Sequence, residues 1–144
     1  MLTDLNRPTL LLVEDSEDDA FFFNRTLQKS GVTCSVRHVL DGAQAIEFLR
    51  EASQSGPQAM PYAMFLDLKM PVMNGFEVLD WMRQQTFPSA IPVIVLSGSE
   101  QEQDKDRAME LGATAYLVKP VTAAYLQNFL RDVCPANVEM GATS

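Results

Sequence analysis

Four short apolar runs each stop at residues that can do chemistry. Thr9 to Val13 ends at Glu14 and Asp15, and Tyr62 to Leu66 ends at Asp67. Pro92 to Leu96 ends at Ser97, and Ala113 to Val118 ends at Lys119. Any one of these residues is ordinary, because strands end at the surface. Four such ends on one rim are not. Three carboxylates within a few ångströms repel one another unless a cation joins them. An all-oxygen site with few carboxylates and room for water suits Mg²⁺. An ammonium and a hydroxyl facing that ion suit a phosphoryl group: Lys119 neutralises charge and Ser97 donates a hydrogen bond. Asp67 is then placed to be the nucleophile that takes phosphate as an acyl phosphate. Positioning and charge stabilisation supply most of what such a transfer needs.

The elements that must carry these residues follow from the pattern between them. Continuous apolar runs read as strands buried on both faces. Segments of helical period separate them. Ser16 offers an N-cap with Asp19 at capping-box spacing. Ala20, Phe23 and Leu27 repeat at helical spacing, and Gly31 stops that helix. Thr33 to Val39 mixes apolar and polar residues and suits an edge strand. Asp41-Gly42 opens a helix carrying Ala45, Phe48, Leu49 and Ala52, and Ser53 to Pro61 reads as a loop. Asn74 and Glu77 form a second capping pair and Ser99 with Glu102 a third. Gly112 closes the helix after Ser99, and Tyr125, Leu126, Phe129, Leu130 and Val133 mark a last amphipathic helix.

Five alternating strand–helix units imply a doubly wound α/β fold: a five-stranded parallel sheet with helices on both faces. Placing the mixed second strand at an edge gives strand order 2-1-3-4-5, with right-handed crossovers. Ligands in such sheets bind beyond the carboxyl ends of the strands, where the order switches, here between strands 1 and 3. The chemistry-bearing residues belong to that rim.

The 144 residues suit one domain. A net charge of −8 argues against nucleic acid and anionic membranes as partners, since both demand clustered Lys and Arg. Cys34 and Cys134 match no zinc or redox spacing and read as reduced thiols. No apolar run approaches the ~20 residues that cross a bilayer. The N-terminus lacks a signal-peptide pattern, so the expected location is cytoplasmic.

The stretches 11–15 (Leu-Leu-Val-Glu-Asp), 66–71 (Leu-Asp-Leu-Lys-Met-Pro) with Asn74-Gly75, 95–97 (Val-Leu-Ser) and 116–120 (Tyr-Leu-Val-Lys-Pro) together resemble the receiver domains of bacterial two-component response regulators. The resemblance covers roughly residues 8–134. It implies a flavodoxin-like receiver fold, with 1–144 a single receiver domain and 135–144 a short tail. It makes Asp67 the phosphoacceptor. It assigns Mg²⁺ to Asp15, Asp67 and the backbone carbonyl of Lys69, with Glu14 acting through water. Lys119 would bind phosphoryl oxygens, Ser97 would turn towards them, and Tyr116 would swing inward behind Ser97. It also implies a cis Lys119-Pro120 bond and a tight turn at Gly75. The donor would be a sensor histidine kinase or phosphotransfer protein. Output would pass through the face of the fourth helix, fifth strand and fifth helix, to a partner protein, by self-association or by phosphate relay.

There are departures. Gly98 stands where the family often has alanine, and the Ser53–Pro61 loop exceeds that of the shortest members. The longer loop, with the C-terminal extension, resembles single-domain regulators paired with phytochrome-type kinases. Two other readings compete. A receiver-like scaffold would work without phosphate, but the acidic pair, acceptor and lysine are intact. An aspartate-nucleophile phosphatase of the haloacid dehalogenase class wants a second acid two residues after the nucleophile, where this chain has Lys69. The expected protein is therefore a switch that catalyses only its own phosphorylation and dephosphorylation. His38 reads as a satisfied edge-strand histidine. Of Phe21-Phe22-Phe23, one is expected on the surface, because three consecutive helical residues cannot all face inward.

Overall fold

The computed structural model describes residues 9–133. Cys134, the 135–144 tail and the segment before Thr9 lie outside the described residues. The strands are β1 (Thr9–Val13), β2 (Ser35–Val39), β3 (Ala63–Asp67), β4 (Val93–Ser97) and β5 (Ala115–Val118). The helices are α1 (Glu17–Ser30), α2 (Gly42–Ser55), α3 (Gly75–Arg83), α4 (Glu102–Glu110) and α5 (Ala123–Val133), with a 3₁₀ turn at Pro57–Ala59. All strand pairs are parallel and the order is β2-β1-β3-β4-β5. This is the doubly wound order expected.

The period of two along each strand divides the core between the two faces. Leu11, Val13, Met64, Leu66, Val93 and Val95 point to one side, where Leu49, Val78, Leu79 and Ala108 of α2, α3 and α4 cover them. Leu10, Leu12, Phe65, Ile94 and Leu96 point to the other, against Phe23 and Leu27 of α1 and Leu126 and Leu130 of α5. Phe65 is fully buried between the rings of Phe23 and Phe129, at centroid distances of 4.9 and 6.0 Å. Burying such a side chain stabilises by about 1.5–3 kcal/mol. β3 and β4 are buried along their whole length, whereas β2 and β5 are the half-exposed edges.

The helix ends follow local chemistry. Ser16 caps α1 by accepting from the Asp19 N–H, and Gly31, at φ 80°, closes it in the left-handed region. Asp41 caps α2 through the Gln44 N–H, and Asn74 with Glu77 forms a complete reciprocal capping box on α3. The third expected cap does not form. Gln101 is the N-cap of α4, and Ser99 Oγ accepts from the Gln101 N–H at 3.2 Å while donating its own proton to Asp104. Ser53 to Pro61 is not a plain loop either. α2 continues to Ser55 and Pro57 starts the 3₁₀ turn, a position where its missing N–H costs nothing. β2 starts at Ser35, two residues later than its apolar–polar pattern suggests. Of the phenylalanine run only Phe23 is buried; Phe21 and Phe22 are both exposed, so the surface takes two of the three.

Candidate functional site

The sheet register delivers the predicted residues to one rim. β1 and β3 run side by side with Val13 opposite Leu66, so Glu14 and Asp15 emerge beside Asp67. β3 and β4 pair Asp67 with Leu96, which sets Ser97 one step beyond Asp67. The Lys119 N–H donates to the Ser97 carbonyl at 2.8 Å, which carries the lysine to the same end. The Lys119-Pro120 bond is cis.

Carboxylate oxygens of Glu14, Asp15 and Asp67 all lie within 4.8 Å of one another. Glu14 and Asp67 are buried and Asp15 is exposed. Lys119 Nζ donates to Glu14 Oε1 and to Asp19 Oδ2, each at 2.8 Å, and stands 3.6 Å from Asp67 Oδ1. Three carboxylates thus lie within 4 Å of one ammonium, and Asp15 adds a fourth acid beside them. Burial pushes the Asp67 carboxyl up to about 6, and the charge of Glu14 adds to this; Lys119 and the Lys69 backbone N–H offset part of it. For Lys119, burial works against the charged form, but the hydrogen bonds to Asp19 and Glu14 and the charge of Asp67 outweigh it and raise its pKa. The lysine is therefore a fixed cation. The excess of carboxylates fits a hard divalent ion: an all-oxygen donor set with one solvent-facing member matches what Mg²⁺ accepts.

The loop after Asp67 is shaped by contact with the Asp67 and Leu68 backbone. The Gly75 N–H donates to the Leu68 carbonyl at 2.9 Å. A Cβ on Gly75 would sit 2.6 Å from the Asp67 carbonyl oxygen, so only glycine permits this approach. Within the loop Val72 takes φ 68°, an unusual state for a β-branched residue. The Lys69 side chain points outward and reaches Asp104 at 3.9 Å.

Ser97 and Tyr116 are joined through one residue. Ser97 Oγ accepts from the Ser99 N–H at 3.0 Å, and the Tyr116 hydroxyl donates to the Ser99 carbonyl at 2.8 Å. Turning Ser97 Oγ towards Asp67 therefore exchanges its hydrogen bond to Ser99, the residue that also holds Tyr116.

Residues 10–131 match the family model of the response regulator receiver domain. The chain belongs to this family. As a receiver it is part of two-component signalling, whose receivers take phosphoryl groups from a histidine kinase or a phosphotransfer protein and bind Mg²⁺ at the acidic pocket. It is similar to response regulator Rcp1 of Synechocystis, 34% identical over 76% of this chain and 75% of Rcp1. The Mn²⁺-bound crystal structure of Rcp1 superposes with a TM-score of 0.71, at 30% identity over 86% of this chain and 92% of that one. The bacteriophytochrome response regulator RtBRR gives 0.73, at 32% identity over 95% of this chain and 90% of that one. The transcriptional regulatory protein PrrA of Mycobacterium leprae is 36% identical over 88% of this receiver, which spans only 49% of PrrA. Among the described residues no helix is long and apolar enough to cross a membrane.

Sequence reasoning reads the Ser16 to Asp19 acids as a helix N-terminus that favours negative charge. That is incomplete for Asp19. Its backbone N–H serves the cap, while its side chain leaves the helix for Lys119, 100 positions away. Nothing in the local sequence signals that pairing. His38 is satisfied, its Nε2 donating to the Glu14 carbonyl at 2.7 Å.

Proposed function

We propose that this receiver is a phosphorylation switch in which Asp67 accepts the phosphoryl group. The observation that carries this is the convergence of Glu14, Asp15 and Asp67 within 4.8 Å beside a charged lysine. In the transfer, an Asp67 carboxylate oxygen forms the new bond to phosphorus as the bond to the donor's imidazole nitrogen breaks. Asp15, Asp67 and the Lys69 carbonyl would hold Mg²⁺, with Glu14 contributing through water. The ion supplies charge neutralisation at the phosphoryl oxygens. Lys119 binds one of those oxygens, and the Ser97 hydroxyl donates to another. The exchange at Ser99 then passes to Tyr116, and the face formed by α4, β5 and α5 changes.

The likeness to Rcp1 and to the bacteriophytochrome regulator supports a kinase of the phytochrome type and a receiver working as a single domain over 1–144. Output then goes to a partner protein, to a second copy or onward by phosphate relay, in the cytoplasm where the kinase acts. The test is labelling from a small phosphodonor with Mg²⁺. Wild type takes up a base-labile phosphate and Asp67→Asn takes up none. Equal base-labile labelling of Asp67→Asn would refute the assignment.

A further inference from the structure

A lysine ammonium has three donors. In Lys119 two are committed, to Glu14 Oε1 and Asp19 Oδ2, while Asp67 stands at 3.6 Å, too far for a good hydrogen bond. The two committed partners differ in what their loss would cost. The Glu14 side chain is 4% exposed and its second oxygen already accepts from the Ser16 N–H. Taking the lysine from it would strand a buried carboxylate. The Asp19 side chain is 45% exposed, so water can replace the lysine there. The cap of its helix also does not depend on the Asp19 side chain, because Asp19 contributes its backbone N–H to it. A phosphoryl group on Asp67 presents anionic oxygens that need a lysine donor. The donor that can be released is the one on Asp19.

We propose that Asp19 is a positioning residue that holds Lys119 before phosphorylation and competes with the phosphoryl group for its ammonium. The inference rests on Asp67 being the phosphoacceptor. Asp19 keeps the lysine at the rim while the acceptor is free, and its release is part of the work of binding phosphate. The pair also ties the first turn of α1 to the segment after β5, so its opening marks the phosphorylated state on the α1 side of the molecule as well.

The test measures beryllofluoride binding at saturating Mg²⁺, with Asp19→Asn beside wild type. Asn keeps the size of the side chain and removes its charge. The expected result is tighter beryllofluoride binding, by about two- to fivefold, the worth of a partly exposed ion pair. Mg²⁺ affinity, measured separately by calorimetry, should not rise, since an anion has gone from the neighbourhood. General damage to the structure would weaken both ligands. Asp18→Asn controls for the overall field: Asp18 is exposed in the same turn and makes no ion pair among the described residues. Unchanged or weaker beryllofluoride binding in Asp19→Asn would overturn the proposal, as would an equal gain in Asp18→Asn. A wild type that binds no beryllofluoride would overturn the phosphoacceptor assignment and the competition together.

Discussion

Lys119 Nζ lies 2.8 Å from Glu14 Oε1, joining residues 105 positions apart across the β1 and β5 ends of the sheet. Glu14 is nearly inaccessible, so this bond compensates a charge that water cannot reach. Lys119→Met should therefore destabilise the protein by about 2–3 kcal/mol at neutral pH, somewhat below the cost of breaking a wholly buried pair because the lysine is itself partly exposed. Urea unfolding of the two proteins measures it. A loss under about half a kcal/mol would mean that Glu14 is compensated from elsewhere.

Asp67 sets a pH dependence of stability. Its carboxyl is raised to about 6 by burial and by Glu14, from an ordinary value of 3.8. A raised folded-state pKa means that the folded protein holds the proton more tightly than the unfolded chain. The stability this contributes is full below pH ~4, declines as pH rises towards ~6, and is gone above that. Asp67→Asn should remove this decline. It should also stabilise the metal-free protein at pH 7.5 by about 1–3 kcal/mol, at 1.36 kcal/mol per pKa unit. Denaturation series in chelator between pH 4 and 7.5 test both, and a wild-type stability that rises across pH 4–6 by as much as that of Asp67→Asn would contradict them.

Divalent ion should act in the opposite sense. Mg²⁺ at ten times its dissociation constant should stabilise wild type by about 1.4 kcal/mol at pH 7.5, by linkage. Asp15→Asn and Asp67→Asn should lose most of that gain, because each removes one oxygen-donor carboxylate from the cluster. Thermal melts with and without Mg²⁺ distinguish the cases. An undiminished shift in both variants would place the ion elsewhere.

Val72 holds φ 68° and is 87% exposed, so little packing compensates the left-handed backbone. That conformation costs an L-residue roughly 1–2 kcal/mol. Val72→Gly relieves it but adds freedom to the unfolded chain. The net expectation is a gain of about 0.5–1 kcal/mol in chemical denaturation, and a loss of stability would show that this loop conformation is not the populated one.

Gly75→Ala should do the reverse. The new Cβ would meet the Asp67 carbonyl oxygen at 2.6 Å and the Leu68 Cα at 2.9 Å, both backbone atoms that cannot move aside without shifting Asp67. Destabilisation of about 1–3 kcal/mol is expected, together with weaker Mg²⁺ binding, because the Asp67 to Lys69 backbone must give way. Calorimetric Mg²⁺ titration of the variant checks the second part. Unaltered affinity would mean that the loop relaxes without disturbing Asp67.

The amino-acid sequence by itself determined the sheet, its order and the rim. Fully buried parallel strands have to be continuous apolar runs, and Leu10 to Val13, Met64 to Leu66 and Val93 to Leu96 are such runs. Helix caps are local hydrogen bonds, so Ser16, Asp41 and Asn74 were legible from spacing alone. Where a side chain had two available partners, spacing did not choose between them. Ser99 stands three residues before Glu102, yet its Oγ accepts from the Gln101 N–H and its proton goes to Asp104. Ser53 to Pro61 looks like loop by composition, but the packing of Ala52 and Met60 onto the core carries helix and 3₁₀ turn through most of it. Asp19 is the sharpest case. Its neighbours in sequence describe a helix start, and only the closure of the sheet brought it to Lys119. Tertiary structure decided that, because a charge pair across 100 residues depends on where two strand ends meet in space, and no local pattern encodes a distance.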